Sequence, residues 1–181
     1  HPRQLAGHCD LSLVQFFDPG EAELPPPGRY RILSAGGSFE IDTTVSVPPA
    51  RAWVAFTHET IDWWDHTFSE HPKKLSFDAR PGGGFVETFD DEGNGAWHAT
   101  VIYAQRPNRL RFTGPLGLSG AAIELVHTLD FDPAGTGTRI HLTVHAEGEY
   151  DREWPAIVEA VWRHFLYERF VPYLAQHPTA P

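Results

Sequence analysis

Trp162-Arg163-His164-Phe165-Leu166-Tyr167-Glu168-Arg169-Phe170-Val171-Pro172, close to the end of the chain, holds six large apolar residues: Trp162, Phe165, Leu166, Tyr167, Phe170 and Val171. It closes a longer segment, from Asp151 to Leu174. There Trp154, Ile157, Val158, Val161, Phe165 and Leu166 recur at the spacing of one helix face. Asp151 suits the N-cap, and Pro172 is expected to kink or end the helix. Upstream, from Gly37 to Glu149, the chain reads mostly as strands and turns. A curved sheet closed by one long apolar helix leaves a natural place for a cavity between the two.

Phe39, Ile41, Thr43, Val45 and Val47 alternate with Glu40, Asp42, Thr44 and Ser46, the period of a half-buried strand. Pro48-Pro49 ends it and opens a helix over Ala50–Phe56, where proline is tolerated because the first amides of a helix have no partner. A second helix is expected over Glu59–Thr67. Strands follow at Leu75–Asp78, Phe85–Phe89, Trp97–Ala104, Leu110–Thr113, Ala121–Phe131 and Thr138–Glu147. Their separators are short and rich in Gly, Pro, Asp and Asn, so antiparallel neighbours are expected. The class is α+β: strand, two short helices, about six strands, long helix. Residues 1–36, with Pro25-Pro26-Pro27, read as an N-terminal extension lying over a domain of residues 37–177.

Composition bounds the function. With 41% apolar and 21% charged residues, 181 residues make one folded domain with a sizeable core. A formal charge of -10, with Lys73-Lys74 the only basic pair, argues against a nucleic-acid surface. Cys9 is alone, which removes an intramolecular disulfide framework or a multi-cysteine metal centre. No apolar run approaches the roughly 20 residues that cross a bilayer. Methionine is absent even at position 1, so a periplasmic or secreted location is expected if an export signal was removed, and a cytoplasmic one otherwise.

Strand parity locates the candidate chemistry. Ile123, Leu125, Leu129 and Phe131 mark an inner face that His127 shares, and Glu87 falls between Phe85 and Phe89 in the same way. Parity is ambiguous for His98, which is placed inward. Buried polar groups cost roughly 2–7 kcal/mol if unpaired, so these must bond one another, water or a ligand. Trp63, Trp64 and His66 fall near the mouth between the short helices and the sheet. Glu87 with His98 or His127 has the makings of a proton-transfer pair. No metal or other cofactor is expected: no two histidines show H-E-x-x-H spacing, and His164 beside Arg163 reads as exposed. Ser119 lacks the nucleophile-elbow context, and Cys9 lies in the extension.

Several pieces, in order, resemble the START/Bet v 1-like (SRPBCC) helix-grip superfamily, and especially bacterial proteins related to the C-terminal domain of the activator of Hsp90 ATPase. They are Val47–Trp53, Trp63-Trp64, Pro81–Glu87, Arg109–Gly117, Gly137-Thr138-Arg139 and the terminal helix, across residues 38 to 175. The resemblance implies a seven-stranded antiparallel sheet gripping the last helix, with two short helices by the cavity mouth. It implies binding of apolar molecules, and in some members cyclisation, dehydration or chaperone contact. It also marks positions matching Trp63, Trp64, His66, Glu87, His98 and Arg111 as a recurring polar and aromatic set.

The expectation is therefore a cavity for an apolar or amphipathic small molecule, as a monomer or homodimer. Phe85, Trp154, Val158 and Trp162 would form its walls, Glu87, His98, Arg111 and His127 its polar contacts, and Trp63, Trp64 and His66 its entrance. The alternatives are a cyclase- or hydratase-like enzyme using Glu87 and a histidine, and a chaperone-interacting protein.

Overall fold

Phe39, Ile41, Thr43 and Val45 turn to one side and Ser38, Glu40, Asp42 and Thr44 to solvent, which makes β1, Gly37–Val45. The computed structural model describes residues 37–118, 120–148 and 154–179. The expected extension at 1–36, Cys9, Ser119, the Asp151 cap and the side chain of Trp154 lie outside that description. β1 stops two residues before the expected Val47, because the backbone bends ahead of Pro48-Pro49; Val47 is buried all the same. Pro49 then occupies the first turn of α1, Pro49–His58, which buries Ala52, Trp53, Ala55 and Phe56.

α2 is a single turn, Thr60–Trp63, rather than a helix reaching Thr67. Trp64 is extended (ψ 119°), and the amides of Phe68 and Ser69 donate to the Glu87 carboxylate instead of to helical carbonyls. Just past the expected helix end, this tertiary acceptor holds the chain in its extended path. Residues 64–69 become a strap running from α2 towards the sheet.

Six strands follow: β2 Lys74–Phe77, β3 Gly84–Thr88, β4 Gly95–Gln105, β5 Arg109–Thr113, β6 Ile123–Ala134 and β7 Gly137–Gly148. With β1 they form one curved seven-stranded sheet in the order β1-β7-β6-β5-β4-β3-β2, every pair antiparallel. Consecutive strands are neighbours except at β1, whose partner is the last strand; α1 and α2 carry the chain from that edge to β2 at the other. At the β6–β7 hairpin Gly135 adopts φ 61°, which a left-handed two-residue turn requires.

The sheet wraps a long helix made of α3, Trp154–Arg163, a π-helical segment, His164–Phe170, and α4, Val171–Gln176. Pro172 does not end it. The turn before Pro172 is widened, with the Val171 amide bonded five residues back to Leu166, so the proline ring meets no α-helical carbonyl at close range. Trp162, Phe165, Leu166, Phe170 and Leu174 press into the sheet. Ile157, expected on the buried stripe, is instead 53% exposed.

One buried ion pair ties the helices together. Arg51 on α1 holds both oxygens of Glu59 (2.9 and 2.7 Å), and its Nε donates to the His177 carbonyl beyond α4. Tyr173 donates to the same carboxylate, and burial followed by Glu59 pushes its phenol up to about 12. Removing one member strands the other charge away from water. Arg51→Leu is expected to lower unfolding free energy by about 3–5 kcal/mol, and the Arg51→Leu/Glu59→Leu pair by less than the single change. Urea midpoints of the three proteins check this, and a double variant less stable than the single one would contradict it.

Candidate functional site

Between the long helix and the sheet lies a cavity of ≈ 220 Å³. Ile157, Val158, Val161, Trp162 and Phe165 of the helix form one side. Leu125 of β6 and the loop residues Pro115–Leu118 form another, and Trp64, His66 and His98 complete it. His66 and His98 are its only titratable lining side chains among the described residues. The volume is below the roughly 300–1,000 Å³ of sites for drug-sized molecules, so the space suits a small ligand.

The β5–β6 loop is placed by close backbone approach. Leu116 donates its amide to the His98 carbonyl (3.1 Å) and sits at φ 51°, a costly conformation for leucine that turns its side chain inward. A Cβ at Gly114 would lie 2.6 Å from the His98 oxygen, so only glycine lets the loop come this near to β4. This wall was not anticipated. Leu116 and Leu118, two apolar residues in a Gly/Pro turn, were its sequence signal.

Glu87, His98 and His127 all face inward, at 0%, 2% and 0% exposure. His98 does so because β4 bulges: Ala99 pairs with Phe85 and Trp97 with Val86, leaving His98 as the extra residue between them. Its Nε2 lies 3.0 Å from Glu87 Oε2, and its ring sits between Phe68 and Phe85. Since a carboxylate accepts, the bond assigns the ring proton to Nε2 and leaves Nδ1 without a protein partner among the described residues. Glu87 itself stands behind His98 and outside the lining. With one bond from His98 and one each from the amides of Phe68 and Ser69, it anchors the strap.

His127 is also set back from the cavity. Its ring stacks on Phe112 (4.7 Å, 17°) and touches Trp162, and neither nitrogen makes a hydrogen bond. Burial pushes its pKa down to about 3; the Phe112 backbone opposes this without reaching hydrogen-bond geometry.

Other expected contacts fall elsewhere. Trp63 turns into the core between Phe56 and Phe170, with its indole nitrogen on the Ala55 carbonyl, whereas Trp64 stacks on Phe165 at 3.8 Å beside the cavity. Phe85 is core, packed on Phe77, Trp64 and His98. Arg111 requires a correction: next to inward Leu110 and Phe112 it has the opposite parity, so it stands on the outer face bonded to Thr128 (2.8 Å) and does not reach the cavity.

At the mouth, the neighbours Asp65 and His66 of the strap meet His164 of the long helix, 99 positions beyond Asp65. Asp65 Oδ2 lies 2.8 Å from His164 Nε2, and Asp65 Oδ1 lies 3.0 Å from His66 Nδ1. Partial burial alone would raise the Asp65 carboxyl, but bonds to His164 and His66 and the charges of His164 and Arg169 hold it below the ordinary range. Asp65 and then Glu168 raise the His164 imidazole. His164 is half-buried in this bridge rather than fully exposed.

Residues 46–175 match the family described as activator of Hsp90 ATPase homolog 1-like protein. Among curated proteins there is no significant match to the chain. Similar solved structures include the Mll3558 protein from Rhizobium loti (24% identity, 74% of this chain and 94% of that one, TM-score 0.55). Another is MLL2253 from Mesorhizobium loti (23%, 78% and 98%, 0.57). A third is SA2116 from Staphylococcus aureus, a protein of unknown function (14%, 81% and 100%, 0.61). At these identities they speak for a shared helix-grip fold.

Proposed function

Because the chain belongs to the activator of Hsp90 ATPase homolog 1-like family, whose solved relatives share its sheet-and-helix frame, we propose that it binds a small, mainly apolar molecule carrying one hydrogen-bond-donating group. The observation that carries this reading is the ≈ 220 Å³ cavity lined by apolar side chains, with His98 as its buried polar point. A ligand hydroxyl would donate to His98 Nδ1, whose ring is held in place by Glu87, while the hydrocarbon part lies against Trp162, Val158 and Leu125. No helix among the described residues is long and apolar enough to cross a membrane. The open interior favours a ligand over the chaperone-partner alternative, which calls for a filled core.

The test uses para-cresol and toluene as probes of the same frame with and without a hydroxyl. Para-cresol is expected to bind at least about fivefold more tightly, the worth of roughly 1 kcal/mol for one hydrogen bond. Val161→Trp, which fills the space from a half-buried lining position, is expected to abolish binding of both while leaving the circular dichroism spectrum unchanged. Calorimetric titration reads both outcomes. Equal affinity of the two probes would remove the role of His98, and undiminished binding by Val161→Trp would remove the cavity. The 3.0 Å contact of Glu87 with His98 also favours a second reading, in which Nδ1 takes a proton from the bound molecule. Turnover lost with binding kept in Glu87→Gln would separate catalysis from simple binding.

A further inference from the structure

We propose that Asp65, His66 and His164 form a site for a divalent first-row transition cation of the zinc class at the cavity mouth. One ligating atom from each residue lies within 4.8 Å of the others. Two imidazoles and a carboxylate suit Zn²⁺, Co²⁺ or Ni²⁺, and they do not suit the hard cations Mg²⁺ and Ca²⁺. Both rings already present a nitrogen to one carboxylate, His164 Nε2 to Oδ2 and His66 Nδ1 to Oδ1. A cation entering among them would replace the two ring protons that these contacts share.

The outer contacts support the same assignment. His164 Nδ1 lies 3.0 Å from Glu168 Oε2, so a second carboxylate fixes the ring and directs Nε2 towards the site. That carboxylate–histidine arrangement is the usual support of a metal-bound imidazole. His164 also opens the π-helical segment, whose widened turn re-aims side chains relative to a regular helix. Asp65 and His66 come from the strap and His164 from the helix, so a bound cation would fasten one to the other beside the cavity. One group opposes it: Arg169 Nε is 3.2 Å from Asp65 Oδ2, and its charge weakens cation binding. The site does not depend on the cavity being a ligand site.

The experiment titrates Zn²⁺ into the chelator-treated full chain by calorimetry, with Co²⁺ absorption as a second readout and Mg²⁺ as the hard-cation control. One saturating Zn²⁺ per chain is expected. His66→Ala and His164→Ala should each lower its affinity at least about tenfold, and Glu168→Gln about tenfold, the range for a supporting partner. Arg169→Gln should raise it. The His66 side chain is 52% exposed, so His66→Ala should melt like the parent protein without metal. The chain has 11 histidines, and uptake that His66→Ala and His164→Ala leave unchanged would belong elsewhere. That result overturns the proposal, as does the absence of saturable Zn²⁺ uptake.

Discussion

Glu87→Ala is expected to lower unfolding free energy by about 3–5 kcal/mol, the combined effect of losing three hydrogen bonds to one buried carboxylate and of the void its side chain leaves. The magnitude follows from what the carboxylate holds. It is 0% exposed and accepts from Phe68 N–H at 2.9 Å, Ser69 N–H at 2.8 Å and His98 Nε2 at 3.0 Å. Alanine leaves three donors without an acceptor and a void at the end of β3. Glu87→Gln should cost less, about 1–3 kcal/mol, because it keeps the volume and one oxygen but turns an amide donor towards another donor. Both changes release the strap at one end, so hydrogen exchange at Phe68 and Ser69 should accelerate more than at β6 or β7. Urea unfolding and amide exchange read the two effects. A Glu87→Ala protein within about 1 kcal/mol of the parent would mean that the strap is held by other contacts.

The same residue shows what could and could not be read from the chain. Element type and order were legible because they rest on local periodicity: alternation in β1 and β6, the three-to-four spacing from Ile157 to Leu166, and Gly/Pro punctuation between strands. Inward placement of Glu87 and His127 followed from parity alone. Parity gives an answer only while the register is regular. At His98 the bulge inserts a residue, and both His98 and Ala99 become buried. The helix expected to reach Thr67 ends at Trp63 where Trp64 turns extended, and the strap that follows is held by a carboxylate 18 and 19 residues downstream, a tertiary contact no local spacing announces. The mouth depends on contacts still further apart: His164 and Asp65 are separated by 99 positions. No spacing rule anticipates that meeting, and the inward turn of Leu116 depends on a backbone angle that sequence patterns do not encode.

His127→Leu is expected to flatten the acid side of the stability profile. Burial holds the His127 pKa at about 3, against about 6.5 in an unfolded chain. Above pH ~6.5 the ring is neutral in both states, and its neutral burial is then fully compatible with folding. As the pH falls below that, the unfolded chain takes up a proton that the folded protein refuses, so stability declines by about 1.4 kcal/mol per pH unit. The decline continues until the folded pKa is approached, and amounts to about 5 kcal/mol by pH ~3 as an order of magnitude. Carboxylates held below their ordinary range, such as Asp42 and Asp65, add a slope of the same sign only nearer the carboxylate range. His164, raised by Asp65 and Glu168, contributes the opposite sign. Comparing the variant with the parent cancels both. Leucine is close to histidine in volume and removes two ring nitrogens that have no partner, so the variant should also gain about 1 kcal/mol at neutral pH, offset in part by the lost stacking on Phe112. Urea unfolding at intervals from pH 7 to pH 4 gives the two curves. They should diverge steadily below pH ~6.5, and parallel curves would mean that a proton acceptor or water reaches the ring after all.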